Sequence, residues 1–381
     1  MISSLHLHNF KCFQDQRLDL SQLTLLTGLN GMGKSSVIQS LLLLRQSNER
    51  FDVSSGEFFS LFLNGDLTHI GTAGDLLYEA ANEEKIGISL SIIQNNELIT
   101  VIGEWAFNNE SENVLQPTQW KPSNVDGLQK SSLFSTQFHY LNAERIGPRV
   151  AFAASGFNVQ QNRRIGSKGE FAAHFLSLFR DEDIHILQLA HPNARTTQLL
   201  SQVEAWLSEI SPGTRLEINA HPSMDLINLQ ISFETGKQVS NPYRTTNVGF
   251  GLTYTLPILV AILSSRKDSL ILIENPEAHL HPKGQARMGH LLALAASFGV
   301  QVIIETHSDH VLNGIRLAVH SGQLLPSDVT MHYFGRVEKD DKVMANVVSP
   351  KIDANGRIDN WPDGFFDEWD KSLEQLLTPR N

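Results

Sequence analysis

The nine residues GLNGMGKSS (28–36) constrain the fold of this chain more than any other feature. They fit the P-loop pattern, in which glycines allow a tight turn whose backbone N–H groups surround phosphate oxygens. The apolar run LTLL (23–26) precedes them, and SSVIQSLLLLRQS (35–47) follows with apolar residues at helical spacing. The sequence therefore predicts strand, glycine turn and helix, with the positive end of the helix facing a phosphate-bearing ligand.

The P-loop residues are predicted to act on a nucleotide in different ways. Lys34 is expected to neutralise charge on the β- and γ-phosphates. Ser35 is expected to supply a hydroxyl ligand to magnesium, an ion that keeps several waters and takes few protein ligands. Lys11 lies close to the P-loop in sequence and is a candidate for neutralising phosphate charge. The other predicted cofactor-binding residues of this region are Asn30, Gly31, Gly33 and Ser36.

Two later apolar runs end in polar residues suited to the same chemistry. ILIENPEAHLHP (271–282) reads as a strand that ends at Glu274, whose carboxylate is predicted to hold magnesium through water. VQVIIETHSDH (300–310) reads as a second buried strand, and His307 just beyond it is placed to bond a γ-phosphate or the attacking water. Between these strands and the P-loop, TTNVGFGLTYTLPIL (245–259) reads as a glycine turn that enters a helix.

Composition limits the partners and the cellular location. The single cysteine, Cys12, excludes a disulfide framework, and no apolar run is long enough to cross a bilayer, so we expect a soluble cytoplasmic protein without membrane contact. The net charge of −11 makes the chain a poor general nucleic-acid binder, so any DNA contact must use local basic patches. The candidates are Arg145 with Arg149, Arg163 with Arg164 and Lys168, and Lys283 with Arg287; solvated surface charge is the alternative for each.

The patterns along the chain predict four parts. Residues 1–80 hold the first half of a nucleotide-binding core, 81–240 an inserted α+β lobe, 241–325 the second half of the core, and 326–381 a tail domain. Strands that alternate with helices after residue 245 predict a parallel sheet flanked by helices. The first residues are expected to form two strands with a turn near Gln14–Gln16, and 108–130 is expected to be a loop.

Taken in order, NFKCF, the P-loop, NVGFG, ENPEAHLHP and ETHSDH resemble the ABC-type ATPases of the RecF, SMC and OLD group. The chain looks most like stand-alone bacterial members that end in a short domain of unknown function with a WPDGFF-like tail. The resemblance implies an ABC-ATPase head with ATP and Mg²⁺ as cofactors. It also implies a signature motif at Asn247 and Gly249 that closes over the ATP of a second subunit, hence a homodimer or an assembly of dimers.

One departure from the family pattern concerns the catalytic base. The slot that usually holds a glutamate is Asn275, and an amide can orient water but cannot take its proton. Glu277 is the candidate replacement; otherwise turnover is slow and the ATP-bound dimer long-lived. OLD-type proteins often continue into a nuclease domain, for which residues 308–381 are expected to be too few.

Three functions remain in competition. The first is an ATP-gated switch that senses nucleic acid or an invader signal and controls a separate effector, such as a nuclease, in anti-phage defence or DNA repair. The second is a nucleotide-locked structural regulator that sequesters a partner, with hydrolysis incidental. The third is the nucleotide-binding subunit of a membrane transporter, which the large middle insertion disfavours.

Overall fold

The computed structural model describes residues 1–50, 59–107, 113–236, 238–339 and 342–378. In these ranges the strands are β1 (Ile2–Phe10), β2 (Phe13–Asp19), β3 (Leu23–Gly28), β4 (Leu61–Phe62), β5 (Lys85–Gln94), β6 (Glu97–Ala106), β7 (Val114–Leu115), β8 (Pro117–Pro122), β9 (Phe138–Leu141), β10 (Phe152–Ala153), β11 (Thr214–His221), β12 (Leu226–Thr235), β13 (Gln238–Val239), β14 (Tyr243–Arg244), β15 (Leu270–Glu274), β16 (Gln301–Glu305), β17 (Val329–Lys339) and β18 (Lys342–Val348). The helices there are α1 (Lys34–Asn48), α2 (Val125–Lys130), α3 (Ala172–Phe179), α4 (Leu199–Ile210), α5 (Phe250–Ser264), α6 (Pro282–Ser297), α7 (Asp309–His320) and α8 (Glu368–Leu377).

The described chain divides into two compact units. The first contains Met1–Ser135 and the residues from Pro326 onward, and the second contains Thr136–Leu325. The boundaries predicted from the sequence, at residues 80, 240 and 325, follow the positions of motifs, whereas the two units follow the packing of the chain. The predicted boundaries therefore stay a prediction. No helix in the described ranges has both the length and the apolar character that a membrane crossing requires.

Two sheets organise the first unit. One is antiparallel, with the strand order β2-β1-β5-β6-β8. Its β5–β6 hairpin turns at Asn95 and Asn96, whose φ angles of 51° and 65° suit the two-residue turn that matches strand twist. In the other sheet β3 pairs in parallel with β17, from Leu23 opposite Val329 to Gly28 opposite Phe334. Strand β18 pairs antiparallel with β17, so the strand that leads into the P-loop is built onto the carboxyl-terminal part of the chain.

The second unit contains three parallel strands and a separate antiparallel sheet. β15 lies between β9 and β16 and is parallel to both. The sequences LILIE and QVIIE are buried almost throughout, as expected of parallel strands covered on both faces. Helices α5 and α6 contact these parallel strands. Helix α3 contacts the antiparallel strands β11 and β12, and helix α4 contacts β11. The three parallel strands end at one edge, which brings the segments after residues 141, 274 and 305 together.

Most predicted elements are confirmed, including strand β3 and helix α1 around the P-loop, helix α5, and strands β15 and β16. The turn predicted near Gln14–Gln16 is wrong, because the chain reverses at Lys11 and Cys12 and residues 14–16 lie inside β2. One face of β2 is exposed, so its polar residues looked like a turn. The loop predicted at 108–130 is also wrong from residue 113 onward, where β7, β8 and α2 form; residues 108–112 lie outside the described ranges.

Candidate functional site

The P-loop lies in the first unit, between the end of β3 and the start of α1. Gly28, Gly31 and Gly33 have φ angles of 120°, 76° and 105°, in the region that favours glycine. No side chain caps the amino-terminal end of α1, the usual state of a helix end that binds an anion. Lys34 is buried, and its Nζ donates to the carbonyl oxygens of Gly28 at 2.9 Å and Leu29 at 2.8 Å. The loop therefore holds the Lys34 ammonium group at the place where phosphates are predicted to bind.

Two of these glycines have no room for a side chain. A Cβ on Gly28 would lie 2.3 Å from the carbonyl oxygen of Phe334, and one on Gly33 would lie 2.3 Å from the ring of Phe13. The same Phe334 oxygen accepts a hydrogen bond from the backbone N–H of Leu29 at 2.9 Å. The P-loop conformation thus depends on strand β17 on one side and on strand β2 on the other.

The remaining predicted residues of the first unit lie around α1. Lys11 Nζ donates to Gln39 Oε1 on that helix at 2.7 Å. Burial lowers the pKa of Lys11, while nearby Cys12 and Asp75 act in the opposite direction. Its role toward phosphate stays a prediction. Asn30, Gly31 and Ser35 are exposed, and Ser36 is half-buried.

In the second unit, Glu274 is held at the carboxyl end of β15. Its carboxylate accepts a hydrogen bond from the hydroxyl of Tyr140 at 2.9 Å and one from the backbone N–H of Ala143 at 3.1 Å. Burial, and next the charge of Glu274, raise the pKa of Tyr140 far above its usual value. The phenol therefore keeps its proton and serves as a donor, and the predicted magnesium carboxylate has a fixed orientation.

Arg145, predicted as part of a surface basic patch, is buried, and that prediction is wrong. Its side chain lies behind Glu274, and the residue is 3% exposed. The guanidinium donates to the carbonyl oxygens of Glu274 at 2.6 Å, Asn142 at 3.1 Å, and Asn275. Burial lowers the pKa of Arg145 to about 10, against the opposing effect of Glu277 and other nearby groups. The group is still charged at neutral pH, and it fixes the turn that follows β15.

The two candidates for water activation have different surroundings. Asn275 has a φ of 47°, and its side-chain Oδ1 is buried without a hydrogen-bond partner in the described ranges. Glu277 accepts from the hydroxyl of Thr306 at 2.7 Å and from the backbone N–H of His307 at 2.8 Å. A carboxylate offers about four acceptor positions, so Glu277 retains capacity for water. The structure thus joins Glu277 to the segment of His307, a link that the sequence did not reveal.

The predicted signature residues lie at the start of α5. Asn247 and Gly249 are exposed, and Gly249 precedes the first turn of the helix, which no side chain caps. The His279 ring lies 5.3 Å from the ring of Phe250 and 4.4 Å from that of Tyr254. A cleft of about 390 Å³ opens beside them, lined by Ile210, Ser211, Phe233, Tyr243, Asn247, Val248, Gly249, Gly251, Leu252, His279, Leu280, His281 and Gly284.

The donor chemistry fits magnesium. A serine hydroxyl and a carboxylate are the hard oxygen ligands that this ion prefers. Ser35 is exposed at the first turn of α1, and Glu274 keeps acceptor positions beyond the two that Tyr140 and Ala143 use. Ser35 and Glu274 are thus the residues whose chemistry suits the ion, as the sequence predicts.

The other basic-patch residues lie at or near the surface, several of them in ion pairs. Lys168 pairs with Glu144 at 2.9 Å, and Arg287 pairs with a glutamate of α4 at 3.3 Å. A cation that already has a carboxylate partner attracts DNA phosphate less. Arg149 and Lys283 are exposed. DNA contact through these residues stays a prediction.

A family model described as "AAA domain, putative AbiEii toxin, Type IV TA system" matches residues 23–313. That range includes the P-loop, the signature residues, Glu274 and His307. The chain belongs to this family. A second model, "Protein of unknown function (DUF3696)", matches residues 324–376, which include β17, β18 and all but the last residue of α8. The strand that supports the P-loop of the AAA domain therefore comes from the DUF3696 region.

Known proteins of the RecF and SMC group resemble this chain. The DNA replication and repair protein RecF of Francisella tularensis subsp. novicida (strain U112) is 24% identical over 264 residues, which cover 65% of this chain and 71% of RecF. An SmcHead bound to the C-winged helix domain of ScpA matches with a TM-score of 0.52 at 13% identity, over 91% of this chain and 98% of that chain. An Smc head domain with an extended coiled coil, bound to the C-terminal domain of ScpA, from Pyrococcus furiosus, matches with a TM-score of 0.51 at 11% identity, over 99% of both chains. The AAA domain has the α/β fold of ABC-type heads.

Proposed function

We propose that the protein binds ATP with Mg²⁺, hydrolyses it slowly, and acts as a dimeric switch. The switch senses nucleic acid or an invader signal and controls a separate effector, such as a nuclease, in anti-phage defence or DNA repair. The P-loop carries this proposal, because its positive-φ glycines and its buried Lys34 form a phosphate cradle at a helix start. The family description names a toxin system and the RecF relatives are repair proteins, which supports this setting.

Five of the predicted residues have distinct roles in this proposal. Magnesium, when bound, neutralises phosphate charge, and Ser35 and Glu274 are the residues that hold it. His307 senses the γ-phosphate from its exposed position after β16. Asn247 and Gly249 contact the ATP of a second subunit, so that nucleotide favours the dimer.

Slow turnover follows from the residues after β15. Asn275 cannot take a proton from water, and Glu277 is the carboxylate that remains for this task. Glu277 already accepts hydrogen bonds from Thr306 and His307, and protonation weakens both. Proton transfer to Glu277 therefore loosens its attachment to the segment of His307, which couples the chemical step to a change in that segment.

The same contacts favour a second candidate. If Glu277 serves only to fix the segment of His307, the turn 275–281 supplies no other carboxylate to act as general base. The protein is then a nucleotide-locked regulator, which holds a partner as long as ATP is bound.

ATP binding and turnover of the purified protein test both candidates. We compare the wild type with Lys34→Ala, Glu277→Gln and the control Glu144→Gln, whose exposed side chain pairs with Lys168 at the surface. We expect wild-type turnover well below about 10 s⁻¹, a loss of ATP affinity in Lys34→Ala, and a fall in turnover of about 100-fold or more in Glu277→Gln with ATP binding retained. ATP binding without turnover in the wild type favours the second candidate, and absence of ATP binding contradicts both.

A further inference from the structure

A group of basic residues lies where the parallel strands β9 and β15 of the second unit begin. A pocket of about 110 Å³ is lined there by Thr136, Gln137, His139, Arg163, Phe175, Ser264, Ser265, Arg266 and Ser269. Thr136 and Gln137 precede β9, Ser264 ends α5, and residues 265–269 connect α5 to β15. Glu274 ends β15, so five residues at about 3.3 Å each separate the pocket from it. The pocket is therefore distinct from the Glu274 cluster.

Arg266 is the exposed cation of this pocket. Its Nε donates to Nε2 of His185 at 3.3 Å, and its backbone N–H donates to Ser269 Oγ at 3.1 Å. The terminal nitrogens of Arg266 make no ion pair with any described residue. Such a planar fork matches the oxygens of a phosphate or a carboxylate.

Arg163 is the second cation, and its side chain is fixed. It pairs with Glu182 at 2.8 Å, and its guanidinium carbon lies 4.0 Å from the centroid of the Phe179 ring. Its backbone φ of 50° is rarely adopted by residues with side chains, and such strained positions are enriched at functional sites. Glu182 pairs with Arg163 and not with Arg266, so two guanidiniums and one carboxylate leave the cluster with a net positive charge.

His185 takes part in the same cluster as an acceptor. Burial lowers the pKa of His185, and the charges of Arg266 and Arg163 lower it further, while Glu182 opposes them. The ring is therefore neutral at pH 7 and accepts the hydrogen bond from Arg266. This contact orients the guanidinium without neutralising its charge.

We propose that this pocket binds a single phosphate group. Its volume of about 110 Å³ has room for a small anion, since a single water needs only about 10–15 Å³ of such space. Arg163, Arg266 and the hydroxyl-bearing residues Thr136, Ser264 and Ser265 line it, which offers a tetrahedral anion more donors than the one fork that a planar carboxylate needs. The two serine hydroxyls now donate to carbonyl oxygens of their own helix, and they turn toward the anion when it binds.

The phosphate can come from a small molecule or from the end of a nucleic acid, and a binding assay separates these sources. Every protein carries Lys34→Ala, so that the P-loop does not contribute phosphate binding. The probes are inorganic phosphate and a short single-stranded oligodeoxynucleotide, labelled at its 3′ end, with either a 5′-phosphate or a 5′-hydroxyl. An aspartate-rich peptide tests carboxylate binding.

Arg266→Gln is the test variant, and Arg180→Gln is the matched control, because Arg180 is an exposed arginine that pairs with Asp181 and does not line the pocket. We expect the 5′-phosphate to tighten oligonucleotide binding at least about tenfold, and Arg266→Gln but not Arg180→Gln to abolish that gain. Arg266→Lys, which keeps the charge but loses the fork, should retain only part of it. Unfolding curves of all variants verify that they fold.

The outcomes separate clearly. Binding of inorganic phosphate that depends on Arg266, without any effect of the 5′-phosphate, supports the pocket and identifies a small molecule as the source. Phosphate binding that Arg266→Gln leaves unchanged, no phosphate binding, or Arg266-dependent binding of the peptide alone overturns the proposal. ATP binding by Arg266→Gln with Lys34 intact is expected to be normal, so failure here is independent of the proposed ATPase function.

Discussion

Arg145 connects residues that are far apart in sequence. Its guanidinium holds the carbonyl oxygens of Glu274 and Asn275, 129 and 130 positions away, and also lies 5.6 Å from the centroid of the Tyr254 ring. Its Nε is buried without a hydrogen-bond partner among the described residues. A basic residue in the polar segment AERIGPR reads as exposed, because nothing nearby in sequence supplies the carbonyl oxygens that make its burial possible.

Arg145→Lys tests this role. A lysine ammonium cannot reach the three carbonyl oxygens that the planar guanidinium bonds, so buried acceptors lose their donors. We expect the free energy of unfolding to fall by about 3 kcal/mol, measured by urea denaturation. Arg149→Lys, at an exposed position four residues on, is the control and should change it by less than about 0.5 kcal/mol. Equal stability of the two variants would contradict the structural role of Arg145.

Among the secondary-structure elements, strand β17 connects the DUF3696 region to the P-loop by pairing with β3. Its His332 is 2% exposed. Nε2 donates to the carbonyl oxygen of Asp19 at 2.8 Å, and Nδ1 accepts from the hydroxyl of Ser349 at 2.8 Å. Burial lowers the pKa of His332, with an opposing effect from Asp19. The neutral ring therefore joins the end of β2, strand β17 and the segment after β18.

The stability of this junction should depend on pH. The folded state binds a proton on His332 less readily than the unfolded chain, whose histidine pKa is about 6.5. As pH falls below that value, the unfolded state takes up more protons, so the free energy of unfolding decreases. We expect His332→Gln to reduce the slope of unfolding free energy against pH between about pH 7 and pH 5. Exposed His69→Gln should keep the wild-type slope, and an unchanged slope in His332→Gln would contradict the account.

The elements that sequence patterns predict are those with a regular apolar period. The apolar runs of β15 and β16 and the helical spacing of α1 suffice to identify these elements. β9 and β17 escaped prediction, because β9 has only four residues and polar residues interrupt β17. Each becomes a strand through pairing with a distant partner, β15 for β9 and β3 for β17.

At the scale of the whole molecule, motifs identified the candidate site better than they identified its supports. The P-loop residues follow the spacing that phosphate binding requires, and Glu274 ends an apolar run, so both could be predicted as site candidates from the sequence. The contacts of Glu277 with Thr306 and His307, and the burial of Arg145, arise from the meeting of strand ends, which no local pattern encodes.

The proposed switch requires ATP to bring two copies of the chain together through the predicted signature residues. Gly249 has an ordinary φ, and a Cβ there meets nothing within 4 Å, so Gly249→Asp is compatible with the fold and places a negative charge against the partner's nucleotide. Gly156→Asp, another exposed position where a Cβ meets nothing within 4 Å, is the control.

Light scattering with and without ATP and Mg²⁺ is the most direct test. We predict that ATP doubles the mass of the wild type and of Gly156→Asp from the 42.5 kDa of a single chain, and that Glu277→Gln gives a longer-lived dimer. Gly249→Asp should bind ATP and stay at the mass of one chain. A wild type that remains at 42.5 kDa with ATP bound, or a Gly249→Asp protein that dimerises as the wild type does, would contradict the account.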